Sequence, residues 1–338
     1  MSRQRLTVVL SQAPGKHPAK RSLEESIAAA LLMEPGIDVS IVPNLYDLGP
    51  DHTGRMYLQG AAGDLLVLSW HFPRAAFWLL DRMGVPGHMG ESLIQPAKED
   101  DDDEKPAPPD GIGSAATPRD RHIYCIDLRE RNSAEAFITE ARRIAAECRD
   151  RREAAQRAKP APLVQLGLAP AAKAPELAAF TPEQLLAPSN RRWYPVIDYS
   201  RCTNCLECLD FCLFGVYGVD NLDRILVETQ DNCKKGCPAC SRVCPEQAIM
   251  FPEYKTPAIA GAPVGAISSL KIDLSRLFGG GEKDAVSQAV VERDRELLAD
   301  GRDAVGTAVG LAKRQPAAPA GSKDDLDKLM DDLDSLGL

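Results

Sequence analysis

The chain has 338 residues, a formal net charge of −9, and 44% hydrophobic but only 5% aromatic content. That length allows roughly two domains rather than one continuous core. The negative charge argues against nucleic acid or an anionic membrane surface as the main partner, because phosphate groups would repel it, and it favours protein partners. The sequence predicts no signal peptide and no transmembrane segment, since its apolar stretches are too short for either.

Residues 1–158 alternate strand-like and helix-like segments in the order β, α, β, β, α, β, α. Because the strands are almost continuous in Val, Leu and Ile, they predict a parallel sheet buried on both faces, hence a small doubly wound α/β domain. Ser22 and Glu25 are predicted to form a capping box at the start of the first helix. The predicted strands are Leu6–Leu10, Ile37–Val42, Asp64–Trp70 and His122–Leu128, and the predicted helices are Leu23–Met33, Pro73–Met83 and Ser133–Arg157.

Composition divides the rest of the chain. An acidic, proline-containing insertion at 97–119 is predicted to be a disordered surface loop, and the Ala/Pro-rich stretch 159–190 a linker. Residues 191–256 hold most of the cysteines, and residues 257–338 predict a low-order tail with short helices and an acidic end. The predicted fold class is therefore an α/β domain joined by a linker to a small α+β module.

Eight of the ten cysteines form two runs, Cys202-x2-Cys205-x2-Cys208-x3-Cys212 and Cys233-x3-Cys237-x2-Cys240-x3-Cys244-Pro245. Three closely spaced thiolates can wrap one face of an iron–sulfur cube, while the fourth ligand arrives from elsewhere in the chain. With no secretory signal, metal ligation in a reducing compartment is favoured over disulfides, and the cytoplasm is the expected location.

These motifs resemble those of the bacterial two-cluster ferredoxins, and the resemblance covers about residues 193–254. It implies two [4Fe-4S] clusters, with the last cysteine of each run ligating the cluster of the other run. The repeat of Val196-Ile197-Asp198 as Leu226-Val227-Glu228 favours a pseudo-twofold fold. We define the two ligand groups that the resemblance implies as the first thiol set (Cys202, Cys205, Cys208, Cys244) and the second thiol set (Cys212, Cys233, Cys237, Cys240).

Two departures from that family stand out. The second run opens with x3 instead of x2, and Leu213 follows Cys212 where the family usually has proline. The alternatives are two zinc sites of four thiolates each, or the loss of one cluster through the altered spacing. Lys234 and Lys235, beside the second run, would favour a reduced cluster or a docked anion, unless they are simply solvated.

Other candidates lie outside the cysteine runs. Ligands of open α/β sheets bind at the carboxyl ends of strands, which here are followed by Ser11–His17, Asn44–Asp47, Ser69–Arg74 and Asp127–Arg131. Within these, His71 is a candidate acid, base or metal ligand, or a packing residue. Cys125 and Cys148 are predicted to be buried apolar residues rather than ligands. Near the acidic C-terminus, one helical face would carry Leu326, Leu329, Leu333 and Leu336. This leucine stripe could dock in a groove of a partner, or the stretch is a short frayed helix or disordered tail without a partner.

These features predict an electron carrier or an oxidoreductase subunit rather than a stand-alone enzyme. In the first hypothesis, two [4Fe-4S] clusters relay single electrons to or from a redox partner protein, and the N-terminal domain is a docking or regulatory platform. In the second, that domain binds a flavin, nucleotide or tetrapyrrole-like ligand that is reduced through the clusters. In a third, the clusters serve only to hold an assembly together.

Overall fold

A computed structural model describes residues 5–15, 17–94, 120–158 and 180–263, and seven further positions between 290 and 304. The chain divides into two compact units, Met1–Lys271 and Ile272–Leu338. The predictions for 97–119, for 159–179 and for most of 257–338, including the leucine stripe, lie outside the described residues. Among the described helices, none has both the length and the apolar content needed to cross a bilayer.

In the described residues of the α/β part (1–158), there are five strands and four helices. A 3-10 turn, Leu45–Asp47, follows the second strand. The strands are β1 (Leu6–Ser11), β2 (Ile37–Val42), β3 (Leu65–Ser69), β4 (His88–Gly90) and β5 (His122–Asp127), and the helices are α1 (Pro18–Leu32), α2 (Thr53–Gly60), α3 (Pro73–Arg82) and α4 (Ala134–Ala158).

The five strands form one parallel sheet in the order β2-β1-β3-β5-β4. The predicted parallel sheet is thus confirmed. Its central strand β3 is buried over its whole length, as expected for a strand covered on both faces. On one face, α1 and α4 pack against apolar side chains such as Val8, Leu66 and Ile126. On the other face, α2 and α3 pack against Val9, Val67 and their neighbours.

The start of the first helix was wrongly predicted. Helix α1 begins at Pro18, and Ser22 and Glu25 lie inside it, so they form no capping box. Proline is favoured at the first helical position because its φ is already fixed and its missing N–H would be unpaired there in any case. His17 occupies the cap position and makes no side-chain capping bond.

Helix α2 and strand β4 are absent from the predicted order. Helix α2 lies between β2 and β3, where two parallel strands require a crossover connection. It is only eight residues long and includes two glycines, which are poor helix formers, so it is difficult to recognise in the sequence. The His52 ring caps it, because Nδ1 accepts a hydrogen bond from Gly54 N at 2.9 Å, while Nε2 lies 2.9 Å from the Ala187 carbonyl oxygen.

The cysteine-rich part, residues 191–256, is built from two short antiparallel ribbons and two short helices. The first strand of this part pairs with the last, and the two middle strands pair with each other. Two further helices flank it, α5 (Pro182–Leu185) and α8 (Pro257–Ala260). The elements are β6 (Val196–Ile197), α6 (Glu207–Phe211), β7 (Tyr217–Val219), β8 (Ile225–Val227), α7 (Ala239–Val243) and β9 (Ile249–Met250).

The cysteine-rich part packs against helix α3 and the Leu45–Asp47 turn, on the side of the parallel sheet that α2 and α3 cover. Tyr194, Val196 and Met250 belong to the same apolar core as α2 and α3. At the centre of this contact, the Tyr46 hydroxyl donates to the Tyr194 carbonyl oxygen at 2.5 Å and accepts from Tyr194 N at 2.7 Å. The Tyr194 hydroxyl in turn donates to the Tyr46 carbonyl oxygen at 2.9 Å. Both parts therefore share one core within the first compact unit.

Candidate metal centre

The first cysteine run wraps from strand β6 into helix α6. Asn204 and Leu206 adopt left-handed φ values of 59° and 62°, which turn the chain tightly between the first three cysteines. The Asn204 side chain ties this turn to the second half, since its amide donates to the Asp223 carbonyl oxygen and its oxygen accepts from Ile225 N. Helix α6 then presents Cys208 and ends at Cys212, whose N–H donates to the Cys208 carbonyl oxygen.

The second run repeats this arrangement. Helix α7 presents Cys240 and ends at Cys244, whose N–H donates to the Cys240 carbonyl oxygen at 3.1 Å, against 3.2 Å for the corresponding bond of the first run. The additional residue of the x3 spacing lies in a turn, in which Cys237 N donates to the Lys234 carbonyl oxygen. Gly236 has a φ of 85° there, a conformation that glycine adopts without strain. The turn absorbs the extra residue before α7 begins.

Strand pairing carries Cys244 back to the first run. Strand β9 pairs with β6, and Asp198 N donates to the Ala248 carbonyl oxygen at 2.8 Å. Ala248 N donates to Cys244 Sγ at 3.3 Å, while Cys202 N donates to the Asp198 carbonyl oxygen at 3.0 Å. The two cysteines therefore lie on neighbouring turns.

Buried thiols of the two runs interact electrostatically with one another. The pKa of Cys208 is raised above its usual value by burial and then by the nearby thiols Cys244, Cys202 and Cys205, which are the other members of the first thiol set. Burial likewise raises the pKa of Cys240, and three thiols raise it further. Those three are the rest of the second thiol set, Cys233, Cys237 and Cys212. Metal loading would therefore release protons, since thiolates are the ligands.

A pocket lies among the members of the first thiol set. All four of its cysteines line a pocket that is open to solvent, together with apolar side chains including Ile197, Ile225 and Ile249. Cys205 is exposed and Cys208 is buried. Within the described ranges, no three His, Cys, Asp or Glu side chains converge closely enough to hold a single metal ion. The four thiols are distributed around the pocket instead.

Tyr217 tests whether these surroundings fit a cluster. Its side chain is buried, and its hydroxyl has no hydrogen-bond partner of good geometry among the described residues. Burial raises the pKa of this hydroxyl well above its usual value, and the thiols Cys240, Cys208 and Cys212 raise it further. The Cys240 thiol interacts with this hydroxyl as a hydrogen-bond partner, and a thiolate would accept such a bond more strongly than a neutral thiol. The hydroxyl and the thiols of both sets therefore fit an anionic iron–sulfur group.

Over 66 residues, the chain is 47% identical to an uncharacterized ferredoxin of Methanocaldococcus jannaschii. This chain contains a ferredoxin-like segment. The match covers 19% of the chain and 44% of that relative, so the chain spans less than half the length of the curated relative it matches. No family model matches the chain, and no solved structure matches it.

Outside the ferredoxin-like segment, buried polar side chains at or near the carboxyl ends of the strands accept hydrogen bonds from the loops that follow these strands. Ser11 Oγ accepts from Leu45 N at 2.8 Å. The buried Glu24 carboxylate accepts from Ala13 N at 2.6 Å and from Trp70 Nε1 at 2.8 Å. The predicted ligand of this edge stays a prediction.

The two cysteines outside the runs are buried, as predicted. Cys125 is 4% exposed and Cys148 is fully buried. Burial raises the pKa of the Cys148 thiol to about 11, so it is a neutral thiol at pH 7. Near the second run, Lys235 is exposed, and its charge lowers the pKa of Asp47 and Glu253 against a larger effect of burial, which raises both. Lys235 is therefore a surface lysine close to the carboxyl groups of Asp47 and Glu253.

The residues that sequence reasoning missed lie where the two parts meet. Arg74 was named only as the end of a loop, and Tyr46 only as a member of another. Each of these residues contacts a residue more than 100 positions away, so no local sequence motif indicates either contact. Nothing in the local sequence around Tyr46 or Tyr194 indicates that the two residues form hydrogen bonds with each other.

His71 is a buried residue of this contact, not an exposed acid or base. It is 2% exposed, with Nε2 3.3 Å from Asn44 Oδ1 and its ring 6.3 Å from that of Tyr46. Burial lowers its pKa from 6.5 to about 4, and the charge of Arg129 contributes. The neutral ring is therefore the folded form at pH 7.

Lowering the pH should destabilise the protein through His71. The unfolded chain binds a proton below pH 6.5 and the folded one only below about 4, so this stability is lost as the pH falls between those values. Between pH 7.5 and 5 the loss should be about 2 kcal/mol, measured from urea midpoints. His71→Gln should lack this share of the pH dependence, and His17→Gln should keep it. Equal slopes for wild type and His71→Gln would contradict the assignment.

Proposed function

We propose that the chain is an iron–sulfur electron-transfer protein that holds two [4Fe-4S] clusters and relays single electrons to or from a redox partner protein. The observation that carries this proposal is the pairing of β9 with β6, which returns Cys244 to the turns of the first run. The interactions of Cys208 with Cys244 and of Cys240 with Cys212 support an exchange of ligands between the runs. The likeness of a 66-residue stretch to a ferredoxin supports it.

In this proposal, the first thiol set ligates one cluster and the second thiol set the other. A cluster supplies a one-electron couple in which the added charge spreads over iron and sulfide, so that little rearrangement is needed. The chain's own residues supply the thiolates, the apolar walls around them, and buried donors such as Tyr217. Tyr217 is close to thiols of both sets, so the two clusters would be near enough to exchange electrons directly.

Two zinc sites are the alternative that the cysteine content alone allows. A tetrahedral zinc site holds four sulfurs about 2.3 Å from a single ion. Zinc modules favour two separated C-x2-C pairs, whereas each run here has closely spaced cysteines completed by a more distant one, which supports a cluster. The reducing cytoplasm would be the compartment in which such clusters persist.

The α/β part would act as a rigid support for the cluster-binding part. Its contact runs through the Tyr46–Tyr194 bonds and through α3, where Arg82 donates to the Val227 carbonyl oxygen at 3.1 Å. These contacts tie the backbone of β8 and of the segment before β6 to the sheet. They favour a subunit that presents its clusters in a fixed orientation to its partner.

Anaerobic purification with metal and sulfide analysis tests the proposal. We expect about eight iron and eight sulfide per chain, a brown colour, and electron paramagnetic resonance signals of interacting clusters after reduction. A second protein that co-purifies with the chain would be the candidate redox partner. A colourless protein loaded with zinc would overturn the proposal.

A further inference from the structure

Arg74 is a residue of the α/β part that reaches into the turns beside the first thiol set. It lies in the first turn of α3, and its side chain is 13% exposed. Its Nε donates to Asp198 Oδ2 at 2.5 Å, and its Nη2 donates to the Gln247 carbonyl oxygen at 2.6 Å. Both contacts cross between the two parts of the first unit.

Each of these two contacts touches a cysteine turn. The Asp198 carbonyl oxygen accepts the N–H of Cys202, and Gln247 N donates to the Cys244 carbonyl oxygen at 3.2 Å. The Arg74 guanidinium is thus linked through one intervening residue, Asp198 or Gln247, to each of two of the four proposed ligands, Cys202 and Cys244. In agreement, burial lowers the pKa of Arg74 and Asp198 raises it, while smaller effects come from the cation Arg201, which lowers it, and from Cys244, which raises it.

The hydrogen-bonding groups of Asp198 are satisfied, but those of Arg74 are not. The Asp198 side chain is 3% exposed and satisfied by Arg74 and by the Ser200 hydroxyl and N–H. Arg74 Nη1, in contrast, is buried and finds no hydrogen-bond acceptor among the described residues. A buried cationic donor without an acceptor is costly, and a nearby anionic group would offset that cost.

We propose that Arg74 and Asp198 form a charge pair that sets the reduction potential of the cluster held by the first thiol set. The inference rests on the proposed function. Reduction adds one negative charge to a cluster, so the Arg74 cation favours the reduced state and the Asp198 anion opposes it. Because both groups are largely removed from water, their effects are weakly screened by salt. The α/β part thus supplies Arg74, and the cysteine-rich part supplies Asp198.

Redox titration of anaerobically purified full-length variants tests this pair. Arg74→Gln should make the first-set cluster harder to reduce, by about tenfold in the ratio of reduced to oxidised protein at a fixed potential, or about 59 mV for a one-electron couple. Asp198→Asn should shift the same ratio in the opposite direction. Arg74→Lys keeps the charge and should stay near the wild-type value. The first-set wave is assigned as the one that Cys205→Ser alters.

Arg82→Gln is the matched control. It removes a second arginine of α3 that also bonds across the contact, to the Val227 carbonyl oxygen and the Gln230 side chain, without touching the Cys202 or Cys244 turns. It should leave the first-set wave in place.

Shifts of Arg74→Gln and Asp198→Asn in the same direction, or shifts no larger than that of Arg82→Gln, would overturn the proposal. If Arg74→Gln fails to load iron, the other variants decide. A shift of Asp198→Asn no larger than that of Arg82→Gln, or a value of Arg74→Lys far from that of the wild type, would then overturn the proposal. Iron and sulfide analysis of the wild type separates the two proposals, because a wild type without clusters refutes the proposed function itself.

Discussion

Serine in place of Cys208 is expected to reduce the iron content from about eight to about four atoms per chain, and Cys240→Ser should do the same. Each substitution removes a helix-borne ligand from only one thiol set. A serine hydroxyl is a poorer ligand for iron than a thiolate, so the cluster of that set should be lost or strongly weakened. Iron and sulfide analysis, with spectra of the reduced protein, measures the effect.

Double variants test the exchange of ligands between the two runs. Cys208→Ser with Cys244→Ser should leave four iron atoms, because both residues belong to the first thiol set, whereas Cys208→Ser with Cys212→Ser should leave none. The pattern would be reversed if each run bound its own cluster. Cys148→Ser is the control, because this buried thiol lies outside both sets and should leave the iron content unchanged.

Tyr46→Phe is expected to destabilise the protein by about 3 kcal/mol. The substitution removes one hydroxyl and leaves two buried backbone groups of Tyr194, an N–H and a carbonyl oxygen, without their partner. Both parts of the first unit should then unfold more readily. Urea denaturation, followed by circular dichroism and by iron release in the same samples, measures the loss.

Tyr57→Phe is the matched control for this change. The Tyr57 hydroxyl accepts a bond from Ser40 Oγ at 2.7 Å at a half-buried position, away from the contact between the parts. Its loss should cost about 1 kcal/mol or less. A cost for Tyr46→Phe no greater than that of Tyr57→Phe would show that the central hydroxyl pair does not hold the two parts together.

The parallel sheet was accessible from the sequence because strands buried on both faces leave long apolar runs. Ile37–Val42 is both the predicted and the observed strand β2. Helix boundaries were less accessible, since a serine in a favourable pattern competed with Pro18, whose backbone preference decided the start of α1. Helix α2 was missed because a crossover between parallel strands is a topological requirement, not a local pattern.

The site divides in the same way. Cysteine spacing identified all eight candidate ligands, because a cluster imposes ligand distances that a short sequence interval must meet. The surroundings were not predictable: Arg74 and Asp198 are 124 positions apart, and Tyr46 and Tyr194 are 148 apart. Such contacts depend on how one part docks on another, which no spacing within either part records.

Under the proposed function, the shared core of the α/β part and the cysteine-rich part would constrain how electrons leave this molecule. With Tyr194, Val196 and Met250 packed among α2 and α3, the cysteine-rich part is no swinging arm that carries charge from donor to acceptor. Donor and acceptor would instead have to approach a stationary surface, such as the one where Cys205 meets solvent. Turnover would then be limited by encounters and orientation, and not by the length of a tether.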